Sequence, residues 1–444
     1  MGFLQGEGRT QGTLFPVCLE ELIPDDHLCR VIDAFVDRLD MAVLGFERAE
    51  AAETGRPGYD PRDLLKLYLY GYLQQIRSSR RLESECRRNI ELMWLLGRLV
   101  PDHKTIAEFR RMHREAVTAA GAELVRFARS VGLVKGEWVA IDGSKFRAVS
   151  SARSVSDRQA LERYLEQLEQ SDQQDEVVID SNAVASALEK LRQYPEPEVG
   201  FMRTTQGLAP AYNVQAAVDA EHALIVVQQV TDQAADNRSL QPMAEAAKAA
   251  VGEPAQTLQV VADAGYSNGE QAAACEAQGI LPHVPANRGV NNHGDGALFD
   301  RSEFRYQPQS DTFLCPAGQT LTRQRLSRKD QAVYYVGQPE VCGACALKSQ
   351  CTTGSRRSVT RHLHEEALQR MQQRATPEVM RLRRCTAEHP FATLKYRIFG
   401  HPRFLLRGLR GAQTEMSLAV IAYNLKRMLN ILGGRRLSAA LASA

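Results

Sequence analysis

The sequence predicts a mixed α/β chain with a helical N-terminal region. Three observations carry that expectation. Residues 14–135 place apolar side chains at spacings of three and four, the period of a helix face. From residue 136 onward, short β-rich runs alternate with helical stretches, as in a sheet flanked by helices. Two of those runs, 138–141 and 258–262, end in an aspartate, Asp142 and Asp263. The edge beyond strand C-termini is where open α/β sheets set their ligand sites.

At 444 residues the chain has room for two or three domains, or one with insertions, and for a core that needs no covalent staples. Net charge is only +2, so composition alone does not announce a polyanion partner. The distribution is more informative. Over 356–411, thirteen Lys or Arg stand against four Asp or Glu; over 157–198, four stand against eleven. A basic C-terminal third beside an acidic middle suggests one face for nucleic acid. Residues 1–11 hold no apolar signal region, and the longest apolar run near the C-terminus, 418–423, is too short for a bilayer. A cytoplasmic protein without a membrane partner is expected, with its nine cysteines mostly reduced. No phosphate-binding glycine loop is present, so no nucleotide cofactor is expected.

The first helix carries Leu28, Val31, Ile32, Phe35 and Leu39, with Asp25 as its candidate cap. After a Gly/Pro break at 55–61, a second holds Leu64, Leu65, Leu67, Tyr68, Leu69 and Tyr72 and runs on into arginines. Pro101-Asp102 opens a third unit, where Thr105 and Glu108 fit a capping box. Residues 136–145 form the first strand. The stretch 151–208 is an acidic insert containing a helical hairpin with a polar turn at 171–176. A β-hairpin over 210–231, a helix over 239–251, a strand over 257–262, a helix over 268–278 and a strand over 280–284 follow. This order fits an RNase H-like core. A loop spans 286–296, a cysteine-rich insert 299–355, and a last amphipathic helix, 416–432, is expected to pack on the sheet. Residues 433–444 read as a frayed tail.

The stretch 381–395, RLRRCTAEHPFATLK, sets one acid, Glu388, among Arg381, Arg383, Arg384 and Lys395. On a helix, Arg384 and Lys395 would share a face with Glu388. Taken alone, that is a solvated helix with ion pairs, and Pro390 must kink or start it. With Asp142 and Asp263 at strand ends, a two-metal phosphoryl-transfer site becomes the better reading.

These pieces carry a resemblance. IDGSK around Asp142, ADAGY around Asp263, and Arg384, Glu388 and Lys395 spaced R-x3-E-x6-K resemble a DDE insertion-sequence transposase of the broad IS-four/IS-five grouping, most like the group numbered eleven eighty-two. Arg381 stands where the family pattern has tyrosine. The resemblance runs from about residue 14 to 432. It implies an N-terminal DNA-binding domain over 14–135 and a catalytic domain over 136–432. It implies that Asp142, Asp263 and Glu388 hold Mg²⁺ or Mn²⁺, and that Arg384 and Lys395 contact DNA phosphates, with Arg381 as a third candidate contact. It implies cleavage and strand transfer at the terminal inverted repeats of a bacterial element, by a homodimer on double-stranded DNA. Two rivals are an inactive DNA-binding relative and a structure-specific nuclease on the same fold. Inverted repeats flanking the gene would favour transposition over both.

Cys315, Cys342, Cys345 and Cys351 fall within one short segment, and a CxxC pair with two flanking thiols suits structural Zn²⁺. The resembled group carries a similar cluster. His362 and His364 are weaker substitutes.

Overall fold

A computed structural model describes residues 18–50, 58–172, 181–194, 196–252, 257–286, 298–328 and 331–443. Of the loop expected at 286–296 only residue 286 is described, and of the turn expected at 171–176 only residues 171 and 172, which end a helix.

Six helices come first: α1 (Leu28–Asp37), α2 (Pro61–Leu73), α3 (Ser79–Cys86), α4 (Ile90–Leu95), α5 (His103–Met112) and α6 (Arg114–Ser130). Side-chain caps set several of their starts. Asp60 accepts from Arg62 N–H, with Pro61 in the first turn of α2 where a missing donor costs nothing. Two expected caps move. His27, not Asp25, caps α1, its Nδ1 accepting from Cys29 N–H. Asp102, not Thr105, caps α5: it accepts from the N–H groups of Lys104 and Thr105, so Thr105 lies within the first turn, and Glu108 pairs with Arg111.

Then come β1 (Trp138–Arg147), α7 (Ala152–Asp172), α8 (Ser181–Arg192), β2 (Gly200–Thr204), β3 (Gly207–Asp219), β4 (Ile225–Thr231), α9 (Leu240–Val251), β5 (Leu258–Val261), α10 (Gly269–Ala277) and β6 (Ile280–His283). Next are β7 (Arg305–Gln307), β8 (Thr312–Leu314), β9 (Thr320–Ser327), β10 (Ala332–Val336), α11 (Pro339–Gly343), α12 (Lys348–Cys351) and β11 (Ser358–His362). The chain closes with α13 (Glu365–Arg374), α14 (Pro377–Thr393), a π-helical turn (Leu394–Ile398), α15 (Leu409–Leu432) and α16 (Gly434–Ser443). Among the described residues, no helix is long and apolar enough to cross a membrane.

These elements form two compact units. One gathers the described parts of 1–133, 146–199 and 392–444; the other gathers those of 134–145 and 200–391.

In the first unit, α15 packs chiefly against α6 and α2. The reason is its composition: from Met416 to Met428 nearly every side chain is buried, so the helix needs a surround of other helices. Glu415 sits fully buried in it. Its carboxylate accepts from Leu405 N–H at 2.6 Å and Leu406 N–H at 2.5 Å, and pairs with Arg77 at 3.2 Å. The segment read as a tail is α16, whose Leu437 and Leu441 are fully buried and which lies against α1.

In the second unit, one sheet runs β2-β3-β1-β5-β6, with β4 also on β3. β3 pairs antiparallel with β2 and β4; β5 pairs parallel with β1 and β6. The mixed sheet expected from the element order is present. A second sheet, β11-β10-β9-β8-β7, is an antiparallel meander over the cluster Phe304, Phe313, Leu321, Val333, Tyr335 and Val359.

Removing Glu415 strands Arg77 in the core. Glu415→Ala is expected to cost about 3–5 kcal/mol, the usual consequence of breaking a buried pair from one side. A urea unfolding midpoint unchanged from the parent chain would contradict this.

Candidate active site

The parallel register of β1 on β5 ends at Ala140 opposite Val261. Asp142 and Asp263 each lie two residues further on. Side chains alternate along a strand, so each aspartate shares a face with the alanine or valine two residues before it. That face is covered by α14: Ala140, Val261 and Ala387 form one buried cluster, with Val379 and Met380 against it. Two aspartates thus stand at the same level on adjacent strands, under the helix that carries Glu388. Asp142 lies inside β1 and does not end it, since the strand runs on to Arg147. Asp263 follows β5 and caps a short 3₁₀ turn, accepting from Gly265 N–H at 2.8 Å.

The side chain between the three acids is Arg383. One terminal nitrogen lies 2.8 Å from Asp142 Oδ1 and 3.5 Å from Asp263 Oδ2; the other lies 3.8 Å from Glu388 Oε1. Arg383 is 12% exposed, whereas Glu388 is 62% exposed. The R-x3-E-x6-K spacing singles out Arg384 and leaves Arg383 as one more basic neighbour of Glu388. The signal it misses is the i,i+4 series Val379, Arg383, Ala387, which faces the sheet. Arg384 and Arg381 are instead exposed, with no ion pair among the described residues. Lys395 belongs to the first unit; it is buried there, its ammonium 5.5 Å from the centre of the Phe146 ring. Pro390 neither starts nor ends α14: it lies inside the helix, which passes into the π-helical turn three residues later.

Burial pushes the Asp142 carboxyl above the ordinary aspartate range; Arg383 and the Gly143 N–H, at 2.9 Å, pull the other way. Beside it lies a polar cluster that sequence reading did not single out. Asp236 Oδ1 accepts from Asn213 and Gln215 amides at 2.7 Å each and pairs with Lys145 at 3.3 Å. The buried Tyr266 hydroxyl donates to Gln215 Oε1. Its own ionisation is pushed up by burial and by the nearby Asp236, Asp142 and Asp263. The cluster explains two motif letters: Gly143 follows Asp142 because there is no room for a side chain, and Tyr266 of ADAGY braces Gln215.

Cys315, Cys342, Cys345 and Cys351 line one pocket of about 230 Å³ at the edge of the second sheet. Gln319 N–H donates to Cys315 Sγ at 3.3 Å. Burial raises the Cys351 thiol, Arg357 lowers it, and the other three sulfurs raise it further. His362 and His364 are not among the residues lining this pocket.

Among the described residues, no group of three or more His, Cys, Asp or Glu side chains stands set to hold a metal ion. At the three acids, the Arg383 guanidinium lies between the carboxylates. The donor set itself fits a hard divalent cation: carboxylate oxygens only, presented from two strands and a helix around one positive charge.

A mixed sheet with paired aspartates at adjacent strands and a third acid on the covering helix has the make-up of an RNase H-like core. The chain matches the family described as Transposase DDE domain over residues 202–425, half its length, and Transposase domain (DUF772) over residues 17–112. It belongs to the DDE transposases, enzymes of DNA transposition and recombination that cut and join DNA and use divalent metal ions such as Mg²⁺. The DDE match takes in Asp263 and Glu388 and begins after Asp142. No curated protein matches the chain.

A Cβ on residue 143 would lie 2.5 Å from Gln215 Nε2 and 2.7 Å from Asp236 Oδ1. Gly143→Ala is therefore expected to lose roughly 1–3 kcal/mol through overpacking. Thermal unfolding checks this, and a melting temperature equal to the parent's would count against the close packing.

Proposed function

We propose that the chain is the transposase of a bacterial insertion sequence, most like the group numbered eleven eighty-two, and that Asp142, Asp263 and Glu388 form its metal-binding triad. The observation that carries this reading is the convergence of the three carboxylates on a single cation position. Residues 136–432 act as the catalytic domain in a cytoplasmic, nucleoid-bound protein. The N-terminal helices, 14–135, bind the terminal inverted repeats, and the protein works as a homodimer because two element ends must be held together.

When bound, Mg²⁺ or Mn²⁺ supplies the charge that activates water, then a DNA 3′-hydroxyl, and steadies the leaving oxygen. The chain's own part is positional. Asp142 presents oxygens from within β1, Asp263 from just past β5, and Glu388 presents one from α14. Arg384 and Arg381, exposed on the same helix, grip phosphate oxygens bidentately. Lys395 takes the third contact in the resembled family; here its ammonium would have to leave the Phe146 ring to reach DNA. Asp236, Gln215 and Tyr266 keep Asp142 in place. The four cysteines hold a structural Zn²⁺, a reading supported by their shared pocket and by the amide donated to Cys315.

Incubated with labelled DNA bearing the flanking inverted repeats and Mg²⁺, the protein should nick at the repeat boundary. Asp142→Asn, Asp263→Asn and Glu388→Gln should each lose at least the roughly 10²–10³-fold typical of one preorganised electrostatic group. Binding without cutting by the parent chain would point to an inactive DNA-binding relative, and cutting of branched DNA regardless of the repeats would point to a nuclease. Elemental analysis of the purified protein should find zinc at one per chain, lost in Cys342→Ser with a fall in melting temperature. Equal zinc in both proteins would remove the cysteines from that role.

A further inference from the structure

We propose that Arg383 is an internal counter-ion of the triad: it holds the three carboxylates together before metal arrives, competes with the metal for them, and is drawn off by a DNA phosphate. The proposal rests on the triad being a metal site. It makes Arg383 a positioning residue that couples metal loading to DNA binding.

The geometry argues for competition. Asp142 Oδ1 already receives a guanidinium nitrogen at 2.8 Å. A divalent ion would need an oxygen of the same carboxylate at roughly 2.0–2.1 Å. Two cations crowded onto one carboxylate repel each other, so metal and guanidinium compete for it. Without any cation the three acids would repel, and Asp142, 15% exposed, has little water to offset its charge. Arg383 therefore does the work of a metal in the metal-free protein.

The geometry also argues that the hold is meant to be loosened. Contacts to Asp263 and Glu388 are long, at 3.5 and 3.8 Å, and Glu388 faces water. The Nε–H of Arg383 is buried with no hydrogen-bond partner. A phosphate meeting the guanidinium edge-on through Nε and one terminal nitrogen would satisfy that orphan donor and form the bidentate pair arginine favours. Arg381 and Arg384 share the exposed side of α14 with Glu388, the acid that Arg383 reaches at 3.8 Å, so a phosphate backbone drawn to them arrives at the open edge of the triad. DNA thereby frees the carboxylates for metal, and by linkage metal tightens DNA.

The test is Mn²⁺ binding to the full chain, followed by electron paramagnetic resonance of the free ion, with no turnover required. Without DNA, Arg383→Gln should bind Mn²⁺ about tenfold more tightly than the parent, inside the usual range of coupled sites. Arg383→Lys, which keeps the charge, should stay near the parent. Short duplex DNA carrying the inverted repeats should tighten Mn²⁺ binding to the parent and add little for Arg383→Gln, with Asp142→Asn plus DNA giving the background of ions held by DNA alone. Equal or weaker binding by Arg383→Gln overturns the counter-ion role, as does equal tightening by DNA in parent and variant. Should Arg383→Gln not fold, a parent chain whose Mn²⁺ affinity is unmoved by DNA overturns it equally. Failure of the metal reading itself looks different: Asp142→Asn would then bind Mn²⁺ as the parent does.

Discussion

Three residue pairs set two aspartates at the same level on adjacent strands. Trp138, Val139 and Ala140 of β1 lie opposite Gln259, Val260 and Val261 of β5. A slip of one residue would turn one aspartate to the opposite face of the sheet. The pairing is pinned from outside the ladder. Gln259 N–H donates to Glu137 O, Ala220 N–H donates to Trp138 O, and the buried Asp219 accepts from Gly136 N–H. These bonds lock the entrance of β1, and the level of Asp142 and Asp263 follows from counting two residues onward.

Placing two aspartates side by side creates an electrostatic problem that the surrounding residues answer. On one side, Arg383 brings a guanidinium to Asp142. On the other, Asn213, Gln215 and Lys145 converge on Asp236, and Tyr266 donates to Gln215, so the acids beside Asp142 are hydrogen-bonded rather than bare. A buried polar network of this kind stabilises only when its members are satisfied. The Arg383 Nε and the Asn213 Oδ1 are exceptions, and the former lies where an anionic substrate is proposed to arrive. The first unit shows the opposite design. Glu415 there accepts from two backbone amides and pairs with Arg77 deep among apolar side chains, and its role is to tie α15 to the loop before it.

The cysteine-bearing sheet is a second, smaller example of local order built around few residues. Asp311 accepts from the hydroxyls of Tyr306 and Tyr335 and pairs with Arg323 at 3.3 Å, which closes the turn between β7 and β8. With the meander closed in this way, Cys315 at its edge meets the thiols of α11 and α12 in one pocket.

The sequence by itself determined the mixed α/β class, the order of the core strands and helices, and the two aspartates with their flanking apolar runs. Those features are local: alternation, helical spacing and turn chemistry act over a few residues. It also marked α14 as the basic, acid-bearing helix. What it could not decide was which arginine of that helix faces the sheet. Arg383 and Arg384 are neighbours a hundred degrees apart on the helix, and only the packing of Val379 and Ala387 on Ala140 and Val261 turns the former inward and the latter to solvent. The same holds for Lys395, whose burial against Phe146 depends on residues far away in the chain, and for α15, whose apolar surface is compatible with a sheet or with helices. Local pattern states what a residue can bury; the tertiary structure decides against what, because that choice is set by contacts between segments hundreds of residues apart.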